Sequence, residues 1–132
     1  MLAVLALAAC GGGQRTPEEV VRAWSDALNR GDDAGAAALF ASGARVIQGD
    51  SELRLAGRPD ALAWNRGLPC SGTITALETK GEVVTAVFSL ADRPGHTCDA
   101  PGVKAETVFR VHEGKIALWH EIASEGSPLP TA

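Results

Sequence analysis

The chain has 132 residues, enough for one domain around one hydrophobic core and too few for two. A 45% hydrophobic share beside 21% charged residues belongs to a chain that folds, which sets aside a disordered tail. The net charge of -4, without any Lys/Arg cluster, gives no footprint for a nucleic-acid partner.

Residues 1–9 read MLAVLALAA, an apolar run too short to span a bilayer and of the length of a signal-peptide core. Leu7-Ala8-Ala9-Cys10, followed by Gly11, resembles the bacterial lipobox. That resemblance implies a lipoprotein whose Cys10 receives diacylglycerol and becomes the mature N-terminus. Residues 10–15, with Gly11-Gly12-Gly13, would be a flexible tether to the extracytoplasmic face of a cell membrane. No Lys or Arg precedes the run, so the start codon is expected upstream of Met1. The competing reading is a buried N-terminal strand.

Export gives Cys70 and Cys98 an oxidising compartment, and we expect them to form a disulfide. Closing that loop would stabilise the fold by about 3 to 4 kcal/mol in the chain-entropy model. A redox or metal pair is the alternative. There is no Cys-x-x-Cys, and His96 is the only nearby histidine, so neither metal nor cofactor is expected.

Residues 16–132 form the expected domain. Thr16-Pro17-Glu18-Glu19 is a helix start, with Thr16 as N-cap, Pro17 at the first helical position and Glu19 closing a capping box. Val20, Ala23, Trp24, Ala27 and Leu28 recur at helical spacing up to Gly31. Asp32-Asp33 opens a second, Ala-rich helix predicted to run through Leu39 and Phe40. Short strands are predicted at 45–48 and 53–55, then a third helix over 59–66 carrying Trp64.

From Cys70 the period changes to two, predicting strands over 73–79, 82–90, 103–112 and 116–123. Lys80-Gly81 and Glu113-Gly114 mark hairpin turns, and 92–102 is a longer loop. A type I′ turn would force positive φ on Glu113, so a three-residue loop with Gly114 as a G1 bulge is the expected form. In that register Thr107 lies across from Trp119 and shares a face with Phe109, Val111 and Glu121. His120 then joins Ile116, Leu118 and Ile122 on the other face. The elements describe an α+β domain with three N-terminal helices on a curved antiparallel sheet. Both faces of the last strands are apolar, which suggests a homodimer or, equally, a face flanked by the long loop.

Ala27-Leu28-Asn29-Arg30-Gly31-Asp32, Ala38-Leu39-Phe40-Ala41, Gly57 and Gly114-Lys115-Ile116, with this order of elements, resemble the nuclear-transport-factor-2-like superfamily. Its SnoaL-like members, ketosteroid isomerases, scytalone dehydratase and polyketide cyclases share a cone with a central pocket. By that resemblance the isomerase tyrosine falls at Trp24, the base near Gln48 and the second acid near Thr107. None of these residues supplies the required chemistry, and the chain has no Tyr.

The candidate pocket residues are Trp24, Phe40, Gln48, Trp64, Thr107, Phe109, Trp119 and Glu121, the aromatics being core in the competing reading. Glu121 is the one carboxylate placed to catalyse, or else a solvated rim glutamate. Three functions follow as expectations. The first is a surface-anchored module holding a small apolar ligand or an envelope-protein partner. The second is a lyase, isomerase or cyclase with a rearranged site, and the third a structural lipoprotein with Trp24 and Trp64 filling the cone.

Overall fold

The structure is a computed structural model and describes residues 14–124. The apolar run, the Cys10 lipobox and most of the tether lie outside the described residues. The first helix, α1 (Pro17–Asn29), starts as its sequence dictates. Thr16 Oγ1 accepts from the Glu19 amide at 3.2 Å, and the Glu19 carboxylate accepts from the Thr16 amide at 3.0 Å. Its stripe of Val20, Val21, Trp24, Ala27 and Leu28 is buried.

Asp32 caps α2 (Asp33–Ala37), which stops short of the expected Leu39 and Phe40. Phe40 instead opens β1 (Phe40–Gln48), because the Leu39 carbonyl accepts from the Ile116 amide at 2.8 Å and Phe40 pairs with Ile116. Tertiary pairing here overrides the helix propensity of an Ala-rich run. Next come β2 (Ser51–Leu55), α3 (Arg58–Arg66), β3 (Cys70–Lys80), β4 (Val83–Asp92), β5 (Lys104–His112) and β6 (Lys115–Ser124).

The six strands form one sheet in the order β2-β1-β6-β5-β4-β3. Its seam corrects the expectation of an antiparallel sheet: β1 and β6 run parallel, while the other neighbours are antiparallel. The β3–β6 meander returns the chain beside β1 in the same direction. The sheet curves around α1, and α3 lies over β1 and β2.

The last hairpin also departs from expectation. Glu113 (φ 49°) and Gly114 (φ 76°) are both left-handed and His112 pairs with Lys115, which makes a two-residue I′-type turn. The irregularity falls further along, where Val111 pairs with Ile116 but Arg110 with Leu118, leaving Ala117 as the extra residue. That bulge turns Ile116 inward, fully buried with Val111, rather than outward with His120. Burying such a side chain stabilises by roughly 1.5 to 3 kcal/mol, against a left-handed cost of roughly 1 to 2 kcal/mol at Glu113. Thr107 consequently pairs with Glu121, and Phe109 with Trp119, two positions from the expected partners. Thr107, Phe109, Val111 and Trp119 all remain on the inner face.

Candidate functional site

Between α1 and the inner sheet face the molecule splits into a packed end and a hollow end. At the packed end Trp64 meets Phe40 (centroids 5.6 Å apart) and Trp119 (4.9 Å), and Trp24 meets Phe109 (5.5 Å), all edge to face. Phe40, Trp64 and Phe109 thus belong to this packing and do not line the cavity. Trp24 and Trp119 face both ways, one side in the aromatic cluster and one on the hollow.

The hollow is an open cavity of about 270 Å³. Trp24, Ser25 and Leu28 of α1 form one wall; Phe88, Leu90, Ala105 and Thr107 of β4 and β5 form the floor. Trp119 and Glu121 of β6 and Gln48 of β1 complete the far side. The mouth is made by 68–72 and by Asp99 and Ala100. Trp24 and Trp64 therefore do not fill the cone, and the filled-pocket expectation fails.

Three devices hold the mouth. The Cys70–Cys98 disulfide joins the start of β3 to the 93–103 loop, as its cysteines led us to expect. Gly72 lets β3 run close to β4, since a Cβ there would lie 2.5 Å from the Ser89 carbonyl oxygen. Its own carbonyl accepts from Asn29 Nδ2 at 3.0 Å and from Ser25 Oγ at 3.4 Å, tying the strand to α1. Finally, buried Arg93 pairs with the Asp33 carboxylate and donates to the carbonyls of Asn65 (2.7 Å) and Leu68 (3.1 Å). The grouping of Cys70, Cys98 and Asp99 offers no thiolate to a metal, because the sulfurs are bonded to each other.

Chemically, Trp24 Nε1 donates to Asn65 Oδ1 at 2.8 Å, and Asn65 Nδ2 donates in turn to the Ala61 carbonyl. The only polar hydrogen of Trp24 is thereby spent inside the core and unavailable to a ligand. Thr107 and Gln48 flank Glu121 as its strand partners on β5 and β1. Burial pushes the half-buried Glu121 carboxyl above the ordinary glutamate range; a hydrogen bond from Gln48 pulls it back, and the charge of Asp99 adds to the rise. His120 is the neighbour of Glu121 in sequence but pairs with Val108 and Ile47 on the outer face, so the two cannot act on one atom.

Asn65, Arg93, Asp99 and, apart from the disulfide cysteine Cys70, the stretch 68–72 are not foreseen in the sequence. Asn65 alone left a trace, as a polar residue four positions after Ala61 on the buried stripe of α3. Arg93 and Asp99 sit in a loop whose position depends on distant partners.

This architecture, a curved sheet around a long helix with a pocket at the wide end, is the nuclear-transport-factor-2-like cone. A family model for the SnoaL-like domain matches residues 21–119, and the chain belongs to that family. No curated protein matches it. Among solved structures it is similar to a nuclear-transport-factor-2-like protein of unknown function from Cytophaga hutchinsonii ATCC 33406, with TM-score 0.69 and 13% identity over 84% of this chain and 92% of that one. Another of unknown function, from Burkholderia pseudomallei K96243, has TM-score 0.65 and 17% identity over 83% and 91%. A hypothetical protein with a ketosteroid isomerase-like fold from Catenulispora acidiphila DSM 44928, in complex with trimethylamine, has TM-score 0.63 and 24% identity over 86% and 90%. At such identities the likeness is one of fold.

Proposed function

We propose that the chain is a binding module that holds a small, largely apolar molecule in the cone while the lipid on Cys10 keeps it at the outer face of a membrane. The observation that carries the reading is an open cavity whose inherited catalytic positions no longer supply acid-base chemistry. Trp24 has its N–H committed to Asn65, and Gln48 and Thr107 neither take nor give a proton near neutral pH. Native mass spectrometry of the chain produced in an oxidising compartment tests it. A retained small molecule supports the reading, and a clean mass together with capture of an envelope protein moves the function to the outer surface. The anchor is tested separately: Cys10→Ser should release the protein from membranes, and retention there removes that part.

A second reading keeps an enzyme of the lyase, isomerase or cyclase kind. The raised Glu121 carboxyl beside Thr107 and Gln48 favours it, since a base of raised pKa suits proton transfer. A turnover that survives Glu121→Gln unchanged would exclude that version. The apolar outer face around Leu118 and Ile122 supports a homodimer, for which sedimentation at micromolar concentration is the measurement.

A further inference from the structure

Which molecule suits the cavity follows from the charges and surfaces that line it. Its described lining holds two carboxylates, Glu121 inside and Asp99 exposed at the mouth, and no Lys, Arg or His. Beside Glu121, the Thr107 hydroxyl and the Gln48 amide can each present an oxygen acceptor, and the one buried N–H without a partner on the lining, Trp119 Nε1, is a neutral donor. An anionic ligand would bring its charge against Glu121 and Asp99 with no compensating positive charge on the described lining, at a cost that grows with desolvation.

The walls add an independent condition. Trp24, Phe88 and Trp119 give the cavity three aromatic sides, and a π-face attracts a cation as well as burying apolar surface. The volume of about 270 Å³ falls just below the roughly 300 Å³ at which drug-sized pockets begin, so the occupant is small.

We propose that the ligand is a small organic ammonium, a primary or substituted amine on a compact apolar or aromatic body, with its nitrogen between Glu121 and Asp99 and its body against Trp24 and Trp119. The assignment rests on the binding reading above and narrows it to one head-group chemistry. It distinguishes this cone from one built for a neutral polycyclic substrate, because its lining carries two carboxylates and no cation.

The test uses three probes of one shape and three charges: benzylammonium, benzyl alcohol and benzoate, each titrated into the full chain carrying Cys10→Ser and followed by tryptophan fluorescence and calorimetry. Benzylammonium should bind about tenfold more tightly than benzyl alcohol, and benzoate not at all. Glu121→Gln should remove about tenfold of the benzylammonium affinity and leave benzyl alcohol unchanged. Asp99→Asn, at the exposed mouth, should have a smaller effect that fades as salt is raised. Equal binding of alcohol and ammonium, or tighter binding of benzoate, overturns the ammonium assignment and leaves the binding reading standing. Failure of all three probes on a folded protein overturns the assignment as well, and if native mass spectrometry also shows an empty chain the binding reading falls with it.

Discussion

The two ends of the cone are built on the same strands, yet one is solid and the other hollow. Along β6 the inward residues run Ile116, Trp119, Glu121; along β5 they run Val111, Phe109, Thr107, Ala105. On these two strands the side chains become smaller or more polar towards the mouth. Large inward residues near the β5–β6 turn build stability, and small or polar ones at the opposite end leave room for a guest. The division of labour is thus written along β5 and β6, not assigned to separate elements.

That contrast can be broken by substitution. Phe109→Ala at the packed end should have the largest effect, destabilising by about 3 to 5 kcal/mol in denaturant titration, because the ring is fully buried against Trp24 and Phe88. A loss below about 1 kcal/mol would mean that the packed end is not where stability resides. Replacing Cys70 and Cys98 together by Ser should follow, at about 3 to 4 kcal/mol by thermal or chemical unfolding, and should loosen the mouth before the core. Trp24→Phe comes next: the Asn65 oxygen loses its donor inside the core, for about 1 to 3 kcal/mol, with the cavity wall kept aromatic.

The smallest effect belongs to the hollow end and has the opposite sign. The folded state holds the Glu121 proton to higher pH than the unfolded chain, whose carboxyl titrates near 4.5. Stability from this group is therefore present below that pH and lost as pH rises through the raised folded-state value. Glu121→Gln should raise the Tm at neutral pH and leave it unchanged in acid below 4.5, as measured by melting across a pH series. A fall in Tm at neutral pH would show that Glu121 is paired rather than merely desolvated.

Much of this was legible in local sequence, and the rest was not for definite reasons. The capping box at Thr16 and Glu19, the amphipathic stripe of α1 and the strand periods after Cys70 are local signals, and local physics sets them. The end of α2 was misplaced because Phe40 is captured by a strand far along the chain. The I′-type turn was misread because the strain at Glu113 was weighed alone, without the burial of Ile116 that the bulge at Ala117 permits. For the site, alternation placed Thr107, Trp119 and Glu121 on one face. Periodicity could not tell Phe109 from Trp119, since both face inward and only sheet curvature decides which one meets open space. Asp99 reaches the mouth through the disulfide and the Arg93–Asp33 pair, which no local pattern encodes.

The parallel seam between β1 and β6 bears on how the chain folds. β1 sits near the beginning of the described chain, and its inner neighbour in the sheet is the last strand of the described residues. Until β6 is available, the helical hairpin and the β1–β2 ribbon keep an unpaired edge, with Phe40 lacking its strand partner Ile116, and a ribbon of two strands is marginal by itself in water. Such non-local pairing delays the transition state, so this domain should stay uncommitted until β6 has emerged and then close in one late cooperative step.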